Sequence, residues 1–371
     1  MSLIKNNISI AYNYLAGHEN KAGIGAYSAN LVENIRKINP EWECHLFYPK
    51  NEPKKTIRKA FWDQVEFPYK VYKSKRDFNL VHTLGYSAPI IRPRGKRLPS
   101  VFSLHDMYPA SMSRKVMSSG TYLYLNHLKN LSAYSADIII TLSENSKRDI
   151  LDQIKIPEER VRVVHIAAND RFSKITDSSV LDMVREKYEI RLPFILFLGT
   201  ISLHKNLIRL VEAFSILTKE SSEFSDYSLV LCGGCGNATD EIFEKCRDMG
   251  ITESVIMTGY ADAEDIPAIY SMADLFVFPS LCEGFGIPPL EAMKCETPVA
   301  CSDNSSIPEV CGDAAIYFNC YDTENIAEAM HTVLKDGIRR DSLRRKGLLQ
   351  AAMFSWEKTA KETIAIYNEL L

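Results

Sequence analysis

Short unbroken apolar runs, separated by helical patterns, constrain this chain more than any other feature. The runs are 8–12, 80–83, 100–104, 138–142, 162–165, 194–198, 228–231, 255–257, 275–278, 298–301 and 316–318. Most are rich in Val, Ile, Leu and Phe and do not alternate with polar residues, so they predict strands buried on both faces. Between them, apolar residues recur at helical spacing. After Asn206, which is placed to cap a helix, Leu207, Leu210, Val211, Phe214 and Leu217 share one face. Strand–helix alternation of this kind means a parallel sheet with right-handed crossovers.

At 371 residues the chain is long enough for two such domains. The segment 173–192 is polar, carries a helix and ends before Pro193, so it reads as a linker. The expected division is therefore 1–172, a linker at 173–192, and 193–356. A final amphipathic helix, 357–371, returns to the first domain. Two Rossmann-like units would offer a cleft at the carboxyl ends of their strands, where such sheets bind ligands.

Charged residues make up 25% and apolar residues 46%, a globular composition. The net charge of −3 gives no general attraction to nucleic acid. No apolar run approaches the roughly 18 residues of a membrane span, and the first residues do not read as a secretory signal. The nine cysteines include eight after residue 230. Reduced thiols in a cytoplasmic protein are the expectation. Cys232-Gly-Gly-Cys235 has redox or zinc spacing, but no second pair or matching histidines accompany it.

The segment from Asp274 to Ala292 carries the chemistry. An apolar strand runs into Glu283-Gly284-Phe285-Gly286-Ile287-Pro288-Pro289, and Glu291 follows in what reads as the first turn of a helix. A loop between a strand and a helix N-terminus is an anion site. Gly284 and Gly286 let backbone approach a ligand, and the prolines leave the donors to Gly284, Phe285, Gly286 and Ile287. A carboxylate beside a diphosphate would be repelled unless it faced another group. A ribose diol, donating two hydrogen bonds, suits Glu291; complementing the helix dipole is the alternative, and chemistry alone leaves both open.

The spacing Glu283-x7-Glu291 within Pro-Ser-x-x-Glu-Gly-Phe-Gly-x-Pro-x-x-Glu-Ala-Met resembles the signature of retaining glycosyltransferases of family 4, which have the GT-B fold. Ala136 to Ser146, Phe197 to Asn206, Gly259-Tyr260, Ala273-Asp274 and Ile307-Pro308-Glu309 fall in the family's order, so the resemblance covers nearly the whole chain. It implies an α/β fold of two Rossmann-like domains. It also implies that Lys205 and the turn amides hold a nucleotide-sugar diphosphate, with Thr200 and His204 where relatives often carry an arginine. Glu291 would hold the ribose, Glu283 would contact the donor sugar, and Gly233 and Tyr260 would hold the base. From the first domain come Gly25, in the loop Ala22-Gly23-Ile24-Gly25-Ala26-Tyr27, and His105, close to the sugar; His105, Glu283 and Lys205 are the candidate catalytic residues. No Asp-x-Asp motif occurs, so neither a divalent metal nor another cofactor is expected.

The resemblance is nearest to mannosyltransferase-like branches. It implies transfer of a hexose, first mannose from GDP-mannose, to a saccharide or lipid-linked saccharide acceptor in surface-polysaccharide synthesis. A UDP-hexose donor is the alternative, then a nucleotide-sugar epimerase or a non-catalytic binding subunit. The basic stretches 50–58 and 92–97 and the Met-, Tyr- and Leu-bearing segment 111–134 are candidates for peripheral contact with the inner face of the cell membrane.

Overall fold

The computed structural model describes residues 8–15, 17, 23–50, 56–85, 87–90, 98–107 and 119–371. Ala22, the stretch 92–97, and parts of 50–58 and 111–134 lie outside the described residues. The rest falls into two compact units, one within 1–166 and 355–371, the other 167–354.

The first unit is built on a parallel sheet of β1 (Ser9–Asn13), β2 (Glu43–Phe47), β3 (Leu80–Leu84), β4 (Ser100–Ser103), β5 (Ile138–Thr141) and β6 (Val161–Val163), in the order β2-β1-β3-β4-β5-β6. Its helices are α1 (Ile24–Ile38), α2 (Thr56–Phe61) and α3 (Phe67–Lys73) joined by a π-helical turn at Trp62–Glu66, α4 (Ser119–Ser135) and α5 (Glu144–Gln153). The run Ile138-Ile139-Ile140 is buried between β4 and β6, and Ile139 shares an apolar cluster with Ala133 of α4 and Ile150 of α5. Ser143 caps α5 by accepting from Ser146 N at 3.0 Å.

Strand order turns between β1 and β3, so the loops leaving these strands diverge there. They still meet tightly. A Cβ on Gly85, after β3, would stand 2.6 Å from Ile24 Cγ2, and Gly85 adopts φ +112°, open to glycine and strained for other residues.

The second unit holds β7 (Phe194–Leu198), β8 (Ser228–Cys232), β9 (Val255–Gly259), β10 (Leu275–Phe278), β11 (Val299–Ser302) and β12 (Ala315–Phe318) in the parallel order β12-β11-β10-β7-β8-β9. Its helices are α6 (Ser178–Lys187), α7 (Leu207–Glu220), α8 (Thr239–Asp248), α9 (Ile266–Met272), α10 (Ile287–Lys294), α11 (Ile307–Cys311), α12 (Thr323–Lys335) and α13 (Gly337–Ala352). Here the order turns between β7 and β10. This is the dinucleotide-fold order, with its ligand crevice at that turn.

The polar segment 173–192 packs on the second unit. Lys174 Nζ donates to Ser271 O at 2.7 Å and Ile175 N to Ser271 Oγ at 2.9 Å. Lys187 pairs with Asp262 and Asp265, and Tyr188 donates to Asp265. Part of its polarity serves docking.

The last helix, α14 (Trp356–Leu370), belongs to the first unit and packs on α1. Tyr367 is fully buried; its hydroxyl lies 2.5 Å from His82 Nδ1, and His82 Nε2 lies 2.8 Å from Ser103 Oγ. Thr359 Oγ1 donates to His165 O at 2.7 Å. No helix among the described residues is long and apolar enough to cross a membrane.

Candidate active site

The loops leaving β7 and β10 frame the turn in strand order, and both carry residues singled out above. After β7 the chain is laced to its neighbours: Gly199 N donates to Cys232 O (2.9 Å), Ile201 N to Gly234 O (3.0 Å), and Gly233 N to Gly259 O (2.9 Å). A Cβ on Gly233 would stand 2.0 Å from Gly199 O, so that approach requires glycine. Thr200 is exposed on this loop. Tyr260 is 76% exposed, and its ring lies against Gly234, where an added Cβ would come within 2.7 Å.

A short 3-10 turn, Leu203–Lys205, leads into Asn206 at φ +59°. Asn206 does occupy the N-cap position of α7, but its side chain makes no cap hydrogen bond. In the left-handed conformation it points elsewhere: Nδ2 donates to Cys320 O at 2.7 Å, and Oδ1 accepts from Arg209 at 2.8 Å. His204 accepts from Leu281 N through its carbonyl (2.8 Å), which ties this loop to the one after β10. The His204 ring lies 3.1 Å from Ser202 Oγ.

That tie brings Lys205 to Glu283. Nζ and Oε1 are 2.5 Å apart, each side chain is 13% exposed, and the ammonium lies 5.0 Å from the centre of the Phe278 ring. A nearly buried pair of this kind holds each charge in place. Glu283 is fixed through its backbone as well. Its N–H donates to Ser305 Oγ (3.0 Å), and its carbonyl accepts from Ser305 (2.8 Å) and Ser306 (2.9 Å), while Ser306 also reaches Phe285 O (2.9 Å).

Gly284 leads to Phe285, whose ring is buried edge-on against Phe354. Gly286 follows at φ +95° and caps α10, which begins at Ile287 with Pro288 second. Glu291 is therefore the fifth helical residue and lies in the second turn, not the first as the prolines suggested. The helix dipole falls off within one turn, which weakens that explanation of Glu291. Its partner is Tyr270, whose hydroxyl donates to Oε2 at 3.1 Å. Burial pushes the Glu291 carboxyl up to about 7, against the lowering effects of Tyr270 and Arg171.

The second unit thus brings Lys205 and Glu283 into direct contact and holds Thr200, Gly233, Tyr260, Gly284–Ile287 and Glu291 on its own loops and helix. Gly25 and His105 belong to the first unit. Gly25 is buried in the first turn of α1, behind Gly23 at φ +53°. Two residues farther on, Tyr27 packs edge-on to the His105 ring at 4.4 Å. His105 is buried, its Nε2 has no hydrogen-bond partner among the described residues, and burial pushes its imidazole down to about 4, so it is neutral at pH 7. Beside it Asp106 pairs with Lys129 at 3.3 Å.

Sequence reasoning passed over Tyr270, Ser305, Ser306 and Gly85. The adjacent serines before Ile307-Pro308 were the available signal for the turn clamp. Tyr270 gives none, since an aromatic in an apolar helix reads as core. Cys232 and Cys235 are free thiols, and no three His, Cys, Asp or Glu among the described residues are grouped to hold a metal.

Comparison with known proteins agrees with this architecture. Residues 23–170 match the family described as Glycosyltransferase Family 4, and 184–349 match Glycosyl transferases group 1. The O-antigen chain mannosyltransferase B of Escherichia coli is 32% identical over 273 residues, 73% of this chain and 68% of that protein. Serotype-specific mannosyltransferase WbdA of Escherichia coli is 32% identical over 272 residues, 72% of this chain but 33% of that longer protein. Sucrose-phosphate synthase of Thermosynechococcus elongatus superposes with a TM-score of 0.77 at 19% identity, over 98% of each chain. WaaG, a glycosyltransferase of lipopolysaccharide biosynthesis, gives 0.74 at 14% identity, over 97% of this chain and 99% of its own. The protein is a two-unit GT-B glycosyltransferase. The chain belongs to glycosyltransferase family 4, with O-antigen mannosyltransferases among its relatives.

Proposed function

We propose that the chain moves mannose from GDP-mannose, with retention, to a saccharide or lipid-linked saccharide acceptor in the synthesis of a surface polysaccharide. The observation that carries this is the Lys205–Glu283 pair at the turn of the second sheet, in a chain 32% identical to an O-antigen mannosyltransferase. A diphosphate entering beside this pair competes with Glu283 for the ammonium. As Lys205 turns to the phosphate, Glu283 is released to accept from a sugar hydroxyl, and the ammonium stabilises the leaving group. Glu291 accepts from the ribose diol, and Tyr260 offers a ring to the base. The acceptor oxygen bonds to the anomeric carbon on the face the phosphate leaves, and the acceptor's proton passes to that phosphate. His105, neutral and buried, suits a hydrogen-bonding contact to the sugar rather than proton transfer.

The test begins with a thermal-shift panel of GDP, UDP, ADP and dTDP. A nucleotide at about 100 times its dissociation constant adds about 2.7 kcal/mol to what it binds. Labelled GDP-mannose with an acceptor panel then reads transfer, and product NMR reads the anomer. A response to UDP and not GDP overturns the mannose assignment in favour of a UDP-hexose. An isomerised sugar formed without acceptor indicates an epimerase, and binding without turnover on any acceptor indicates a binding subunit.

For the acceptor side we propose a cytoplasmic site of action against anionic lipid. Ile57, Phe61, Val65, Tyr69 and Tyr72 recur at helical spacing along α2, the π turn and α3, all between 46% and 69% exposed. Arg58, Lys59, Lys70, Lys73, Lys75 and Arg76 flank them, against Glu66 and Asp77. An aromatic stripe with a basic border fits an anionic membrane surface. Sedimentation with anionic vesicles at low salt, lost in Phe61→Ser/Tyr72→Ser, is the expected result; no sedimentation of the wild type ends the proposal.

A further inference from the structure

The Glu291 carboxylate is held by a side chain that nothing in the turn motif calls for. Tyr270 is fully buried and still delivers its hydroxyl to Glu291 Oε2 at 3.1 Å. Two aromatic neighbours hold its ring, and a hydroxyl holds its backbone. Phe276 packs edge-on at 5.4 Å and Phe172 at 6.0 Å, while Thr297 Oγ1 donates to the Tyr270 carbonyl at 2.6 Å. The exposed Arg171 guanidinium lies 5.1 Å from the Phe172 ring centre, and its charge lowers the Glu291 carboxyl. A buried phenol keeps its proton, so Tyr270 is always a donor and favours the ionised carboxylate over the acid.

We propose that Tyr270 is a positioning element of the nucleotide site: it aims the Glu291 carboxylate and favours its ionised form for the ribose diol. This rests on the ribose reading of Glu291 given above.

The other titratable groups around Glu291 do not take this role. Cys295, just past the end of α10, is pushed up to about 12 by burial and by Glu291, so it remains a neutral thiol. Lys294 is turned to the carbonyls of Ala168 and Asn169 and to Asp170. Lys174 is committed to Ser271 O and is surrounded by Arg344, Glu296, Cys295 and Asp274. With Glu291 near 7, removing a donor to its charged form raises it further, so the acid form grows at neutral pH.

The experiment measures donor affinity by calorimetry from pH 6 to 9, using whichever of GDP-mannose and UDP-glucose stabilises the wild type. Both are diphosphodiesters, and their phosphates do not titrate in this range. Tyr270→Phe keeps the packed ring, and Arg171→Gln is an exposed change that leaves the fold intact. If the hydroxyl is worth about one pKa unit, Tyr270→Phe binds about fivefold more weakly at pH 7 and within about twofold of wild type at pH 9. Arg171→Gln moves the same way by less. Glu291→Gln gives weak binding with no dependence on pH. A loss in Tyr270→Phe that is the same at every pH, or no loss, overturns the proposal. Wild-type affinity and profile in Glu291→Gln would instead overturn the ribose reading and the proposal with it.

Discussion

Lys205 and Glu283 each keep only 13% of their side-chain surface, so removing one strands a nearly buried charge. Lys205→Ala should cost about 2–3 kcal/mol, somewhat less than the loss of a fully buried pair. Lys205→Ala/Glu283→Ala should regain much of this, since neither charge is then left alone. Urea unfolding of the cycle measures the coupling; additive single effects would show that the pair holds nothing. Glu291 works the other way. Its folded value near 7 lies above the ordinary range. Its contribution is favourable below pH 4.5 and is lost as pH rises through about 7. Glu291→Gln should therefore be more stable than wild type at pH 8 and nearly equal at pH 4.5. A difference independent of pH would remove the burial argument. Glu296 sits at φ +56°, and Glu296→Gly should raise stability by about 0.5–1 kcal/mol in the same assay.

Residue types with strict chemistry were legible from the chain: two glutamates at fixed spacing, a loop lysine, glycines that no larger residue could replace. Tyr270 was not legible, because its hydroxyl gains meaning only when α9 and α10 are folded side by side.

Among elements, the interior strands were readable because burial on both faces demands continuous apolar runs. β2 was missed. It is the edge of its sheet, and Glu43 and His45 break its pattern where one side faces solvent. The start of α10 was misjudged for a different reason: a glycine at φ +95° ends the turn earlier than the prolines announce. The turn itself depends on a neighbouring loop. Ser306 is fully buried and serves the carbonyls of Glu283 and Phe285. Ser306→Ala should leave both with a lost donor and cost about 1–3 kcal/mol, with turnover falling at unchanged acceptor affinity. An unaltered urea midpoint would show that the clamp is dispensable.

At the scale of the molecule, two units with separate cores predict two calorimetric transitions. Nucleotide should raise the one that belongs to 167–354. A chain ending at residue 354 should keep that transition and its response while losing the other. The reason is that Trp356, Ala360, Thr363 and Tyr367 fill the first unit from its far end in sequence. A single transition that nucleotide shifts as a whole would show the units to be energetically one.

The placement of α14 also sets an order of events at the ribosome. The segment 167–354 is complete as soon as it has emerged, while the first unit, synthesised earlier, still lacks Tyr367 against His82 and Tyr12. The unit whose synthesis begins first is closed only after 167–354 has emerged, so until α14 leaves the ribosome its open face is a natural target for chaperones.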